Sequence, residues 1–248
     1  DFALGLHKFY QRLEKADLRD IQFIKCHITG PFSFAAGIND EKGVSLLYDK
    51  VYMQAIIKGL SLKALWQLKL FRKFNKKRML FVDEPYLGSF GSAYTPLNRE
   101  EVVESLSNLT EPIALGGALV GIHCCGNTDW SIFTEVKGIR LISFDAFSFL
   151  NRLILYADSL KEFFARGGML CWGIVPTQEF SGKETAELLS DKLLKGIDTL
   201  VSKGLSRESV TNNLFISPAC GLGTLEIKKA EQIIYLTNKL KNYIIDNL

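Results

Sequence analysis

The chain has 248 residues, of which 47% are hydrophobic and 23% charged, and its formal net charge is +3. This is the composition of a globular protein long enough to bury one large core, and the charge is too small to argue for nucleic acid or an anionic membrane as partner. No apolar run approaches the ~18 residues of a membrane span. The opening DFALGLHKFYQRLEKAD lacks the apolar core and small-residue cleavage site of a signal peptide, so a cytoplasmic protein is expected.

In chain order, the opening segment reads as an amphipathic helix with His7 exposed. IQFIKCHI (21–28) reads as a strand that contains His27 and ends in Thr29, Gly30 and Pro31. Helical patterns follow over 40–58 and 61–76, the second with Ser61 as N-cap. The basic run LKLFRKFNKKR (68–78) reads as a solvated helix end that complements the macrodipole. RMLFVDE (78–84) is the next strand, ending in Asp83, Glu84 and Pro85. YLGSFGSAYTPLN (86–98) is a long irregular segment, either a substrate-covering loop or a passive insertion. Asn98 caps a helix over 98–108. LVGIHC (119–124) leads into His123, Cys124, Cys125, Gly126 and Asn127, and a helix follows over 129–137. RLISFDA (140–146) reaches Asp145, ahead of a helix over 151–166. MLCWGIV (169–175) precedes Pro176 and Thr177, with Cys171 and Trp172 read as packing. A helix over 182–203, the strand LFISPAC (214–220) and a helix over 224–245 capped by Thr224 complete the pattern.

Alternating strands and helices predict a parallel sheet with helices outside it, in one domain spanning 1–248. The strands are near-continuous apolar runs, as befits burial on both faces. Six strands fall two short of a (β/α)8 TIM barrel, so the expectation is an α/β barrel lacking its first two strands, with strands 3 to 8 present. A complete six-stranded open sheet is the alternative. The strand ends favour the barrel. All six finish in unusual polar chemistry, where a barrel active site sits, whereas a doubly wound sheet would gather its ligands at one switch point.

The five cysteines are an odd number, and Cys124 and Cys125 are adjacent. This is no secreted disulfide framework; it fits reduced thiols, with a subset as metal ligands. Residues i and i+2 of a strand share a face, so His123 and Cys125 can converge on one ion while Cys124 points toward the helices. Barrel closure would bring Cys220 to the same rim. Three protein ligands with an open fourth position are the pattern of catalytic zinc. Gly126 and Gly221 each follow a proposed ligand and permit a tight turn there.

The motifs HCCGN, DEP and SPACGLGT, in order through six segments, resemble the superfamily of cobalamin-independent methionine synthase, corrinoid:coenzyme M methyltransferases and uroporphyrinogen decarboxylase. The resemblance implies Zn2+ on His123, Cys125 and Cys220, with a further carboxylate at Asp145. It implies a zinc-dependent methyltransferase that moves a methyl group to a zinc-bound small thiol. The donor would be a methyl-folate or a methyl-corrinoid, including one carried on a corrinoid protein. The Asp of the DEP motif would hold a substrate amine. Strand alternation allows only one of Asp83 and Glu84 to face the site, and Asn127 and Gln178 are further rim candidates for substrate contact. Two departures matter. The arginine-bearing N-terminal motif of the decarboxylases is absent, which disfavours a lyase. The Asp-x-His element of the methionine synthases is replaced by Pro176 and Gln178. A non-catalytic barrel that binds zinc or thiols is the alternative from a different class.

Overall fold

The computed structural model describes residues 3–92, 95–212 and 214–247. A first helix, α1 (Leu4–Leu13), is followed by six strands, each leading into helix. After β1 (Phe23–Thr29) come α2 (Pro31–Ala36) and α3 (Lys50–Leu70). β2 (Lys77–Asp83) leads to α4 (Arg99–Leu115), and β3 (Ala118–Cys124) to α5 (Trp130–Glu135). β4 (Ile139–Phe144) leads to α6 (Ala146–Leu153) and α7 (Ala157–Ala165). β5 (Met169–Val175) leads to α8 (Ala186–Ser202) and α9 (Arg207–Asn212), and β6 (Leu214–Pro218) to α10 (Ile227–Asn247).

The strands form one sheet in the order β1-β2-β3-β4-β5-β6, every pair parallel. Sequential order with helical crossovers is the arrangement expected of βα units, and here it makes a half-barrel. The two faces of the sheet carry different cores. In β1, Ile24, Cys26 and Ile28 are buried while Lys25, His27 and Thr29 are exposed, so the period of two is unbroken. The outward-facing residues join the helices in the main core, whose largest side chains include Trp130, Phe133, Phe144 and Trp172. On the concave face Met79, Phe81, Leu141 and Cys171 form a second, smaller core. Phe23 of β1 and Phe215 of β6 meet edge to face across it, 6.0 Å between ring centroids.

Local chemistry explains several helix starts and departures from expectation. Asp49 caps α3 by accepting from Val51 N at 2.8 Å and Tyr52 N at 3.0 Å. The segments 40–58 and 61–76 therefore do not form two helices. Residues 40–48 are turn, bridge and a short 3-10 segment, and one helix runs through Ser61, which is buried in its interior. Asn98 does cap α4, its Oδ1 accepting from Glu101 N at 3.0 Å. The helix expected over 151–166 starts earlier, at Ala146, and is interrupted by a 3-10 turn at Ile154–Tyr156. Thr224 lies in the turn before α10. Of the loop 86–98, Ala93 and Tyr94 lie outside the described residues; Pro85–Ser89 is a 3-10 segment. No helix among the described residues is long and apolar enough to cross a membrane.

Candidate metal centre

The carboxyl ends of the strands lie on one rim, and the rim is where the polar residues gather. In β3 the alternation continues past the strand: Ile122 and Cys124 are buried in the outer core, while His123 and Cys125 are half-buried. Cys124 donates to Gly126 O at 3.6 Å, and burial pushes its thiol up to about 12. It behaves as a small apolar residue. After β6, Ala219 N donates to Val175 O at 2.8 Å, which keeps the chain against β5 and delivers Cys220 to the rim.

The structure brings His123, Cys125 and Cys220 together. One ligand atom from each lies within 4.8 Å of the other two, and this is the one such group of three or more among the described residues. All five cysteines are free thiols. His123 Nδ1 is 3.0 Å from Ser143 Oγ, which leaves Nε2 as the ring nitrogen open to a metal. Burial lowers the His123 pKa, opposed by Asp83 and reinforced by Lys25. Burial also raises the Cys125 thiol, and the neighbouring Cys220 adds to that rise. Burial disfavours the charged forms of the His123 ring and the Cys125 thiol, whereas a divalent cation held here would stabilise thiolate ligands. One nitrogen and two sulfurs are a donor set that suits zinc and leaves a tetrahedral position free. The residues present therefore fit the metal.

The carboxylates divide. Asp83 pairs in register with Thr29 on one side and His123 on the other, and its charge acts on the His123 ring. Glu84 has no exposed surface. Its Oε1 accepts from Phe32 N at 2.9 Å, and its Oε2 accepts from Ser33 N at 2.9 Å and Ser33 Oγ at 2.6 Å. Burial pushes the Glu84 carboxyl up to about 7 against the downward pull of those donors. Its carboxylate is thus taken up at the start of α2, and its own backbone N donates to His123 O at 2.8 Å. Asp145 caps α6, with Oδ1 accepting from Ser148 N at 2.9 Å, and is not part of the group of three. Its charge nevertheless acts on both His123 and Cys125. Asn127 and Gln178 are exposed, and the Gln178 carbonyl accepts from Lys229 Nζ at 3.2 Å.

Two features escaped the sequence. Gly88 and Gly126 pack backbone to backbone: a Cβ on Gly126 would lie 3.0 Å from Gly88 Cα. The close approach fastens the loop after Cys125 to the segment after β2. The second is Cys171, which faces the concave side and donates to Ser217 Oγ at 3.4 Å. Alternation along MLCWGIV separates it from Trp172, and only the neighbouring strand shows its partner.

No family model matches the chain, and no match is found among curated proteins. Among solved structures it is similar to a candidate vitamin-B12 independent methionine synthase from Listeria monocytogenes, at 15% identity and a TM-score of 0.53. The match covers 87% of this chain and 63% of that one, so the chain spans less than two thirds of that protein's length. A truncated 3-deoxy-D-arabino-heptulosonate 7-phosphate synthase from Thermotoga maritima matches at 13% identity, over 90% of this chain and 65% of that one, with a TM-score of 0.37. A xylose isomerase domain-containing protein from Salmonella typhimurium matches at 15% identity, over 96% of this chain and 93% of that one, with a TM-score of 0.38. The first likeness bears on the fold, and the other two carry no argument.

Proposed function

We propose that the chain is the metal-bearing part of a zinc-dependent methyltransferase. It transfers a methyl group from a folate or corrinoid donor to a small thiol acceptor. The single observation that carries this reading is the convergence of His123, Cys125 and Cys220 from two distant strand ends onto one open rim. His123, Cys125 and Cys220 would hold Zn2+. Asp145, close enough to act on two of them, is the candidate for a further, exchangeable carboxylate. When bound, zinc supplies a Lewis-acid centre that keeps a thiol deprotonated at neutral pH.

The chain's own residues supply position. Asp83 is level with His123 on the same side of the sheet, and in this reading it would take a cationic amine of the acceptor. Glu84 is structural in this reading, and Asn127 and Gln178, exposed at the rim, are left for donor or acceptor contacts. In the transfer itself the acceptor sulfur forms a bond to the methyl carbon as the donor–methyl bond breaks, and the bonding pair leaves with the donor. Alignment of the two substrates over the rim is the main contribution a rigid sheet can make. The half-barrel, in the same reading, is closed to (β/α)8 by two strands from polypeptide outside residues 1–248.

Metal analysis tests the proposal. Purified protein is expected to carry about one zinc per chain, Cys220→Ser to lose most of it, and Cys124→Ser to keep it. Full zinc retention in Cys220→Ser overturns the ligand set. If zinc binds but no thiol is methylated from either donor class by the closed barrel, the protein is a zinc- or thiol-binding barrel without catalysis.

A further inference from the structure

Helix α3 is apolar on two opposite faces. Met53, Ile57, Leu60, Ala64 and Leu68 are buried in the main core. The opposite face carries Tyr52, Ala55, Gly59, Leu62 and Trp66, all exposed, at steps of three and four residues. Tyr52 is 52% open to water, Leu62 68% and Trp66 47%. A helix that is apolar all round is ordinarily covered all round, and a contiguous apolar stripe on a surface marks an interaction site.

The order of residues in the stripe points to its occupant. Gly59 lies at the middle, Tyr52 and Trp66 each seven residues away, with Ala55 and Leu62 between. In an antiparallel helix pair crossed at Gly59, Tyr52 of one helix comes level with Trp66 of the other, and Ala55 with Leu62. The two glycines meet at the crossing with no side chain between them. A Cβ on Gly59 would meet nothing within 4 Å, so the crossing point is open. This is the self-complementarity of a two-fold interface, where residue i meets j and j meets i.

Charge agrees. α3 carries Lys50, Lys58, Lys63 and Lys69 and no acidic residue. α4, packed beside it, carries Glu100, Glu101, Glu104 and Glu111 against the single Arg99. Leu65 reaches Gly116 at the end of α4, which fixes the flank of α3 that α4 occupies. At ~100° per residue, Lys63 lies on the other flank. A two-fold axis at Gly59 brings α4 of the second copy to that other flank, glutamates beside Lys63. Lys50 and Glu101, 3.0 Å apart within one chain, already show the attraction between these surfaces. A flat anionic membrane would instead meet the glutamates of α4 and leave the notch at Ala55 and Gly59 unfilled. The outer faces of the two helices measure about 30 Å by 20 Å, of the order of the ~800 Å² per partner that stable interfaces bury.

We infer that the α3–α4 face is a self-association surface on which two copies of the chain pair antiparallel about a two-fold axis at Gly59. The pairing is independent of the metal reading.

Sedimentation equilibrium of the whole chain tests it. Wild type is expected to dimerise in the micromolar range, more weakly as salt rises. Leu62→Glu should be monomeric with an unchanged circular dichroism spectrum, and Lys63→Glu should dimerise several-fold more weakly. Trp130 and Trp172 have no exposed surface, so a concentration-dependent blue shift of tryptophan emission reports the covering of Trp66. Oxidised glutathione should join Gly59→Cys chains to each other through the new cysteine, which mapping of the disulfide-linked peptides identifies. A wild type that stays monomeric throughout the micromolar range overturns the inference, as does a Leu62→Glu chain that dimerises as tightly as wild type. A monomeric wild type that binds vesicles of phosphatidylcholine and phosphatidylserine with the same blue shift assigns the stripe to a membrane surface instead. A dimer that does not join through Gly59→Cys places the axis elsewhere and overturns the antiparallel pairing.

Discussion

At Gly30 the structure has no room for a side chain, because a Cβ would lie 2.2 Å from Glu84 Oε1. The carboxylate occupies that space to take three donors from Phe32 and Ser33, and Gly30 N donates to Asp83 O at 2.8 Å. Glu84 therefore ties the start of α2 to the end of β2, next to the backbone of His123. Glu84→Ala should strip a buried helix start of its acceptor and leave a hole, a loss of roughly 3–5 kcal/mol in urea unfolding. A loss under about 1 kcal/mol would mean the loop re-pairs with water. Alternation in the sequence separated Asp83 from Glu84, and His123 and Cys125 from Cys124, because a strand's period of two is written in adjacent residues. What Glu84 holds was not legible, since its partners lie on another loop far away in the chain. Ser143 was hidden for the same reason, although it precedes Asp145 on the same face of ISFDAF.

Among the elements, α3 shows where local reading misleads. Gly59 and Ser61 resemble a helix end followed by a new cap, yet the backbone runs through both. Ser61 is buried against the core, and the start is set by Asp49 instead. Tertiary packing of Met53, Ile57, Leu60, Ala64 and Leu68 at helical spacing outweighs one glycine, which costs only about 0.5–1 kcal/mol. At Gly59 a Cβ would meet nothing within 4 Å. Gly59→Ala should accordingly stabilise the protein by about 0.5–1 kcal/mol, seen as a higher urea midpoint with an unchanged slope. A destabilised variant would show that the position carries a contact or conformation that alanine cannot keep. The six strands, by contrast, were legible to within a few residues, because each is a short apolar run bounded by glycine, proline or charge.

In the molecule as a whole, the sheet's centre and its edges are in different physical states. β3 and β4 have a neighbour on each side and helices over one face, and most of β4 is buried. β1 and β6 each have a single neighbour in the sheet, and every residue of β6 is only half-buried. The concave side chains Lys25, His27 and Thr29 of β1 are exposed, on a face where β2 to β5 bury Met79, Phe81, Leu141 and Cys171. The outer layer is incomplete as well: α10 packs on β5, β6 and α8 but leaves Ile227, Ile234, Tyr235 and Ile245 exposed. Unpaired edges beside uncovered apolar residues are what strands from another segment would cover. Hydrogen exchange reads this directly. In the isolated 248-residue chain, amides of β3 and β4 should exchange only with global unfolding. Those of β1 and β6 that point away from their single neighbour should exchange orders of magnitude faster, and slow when a polypeptide supplying the two closing strands is present. Equal protection of β1, β3, β4 and β6 in the isolated chain would mean that the edges are already covered and that no closing strands are needed.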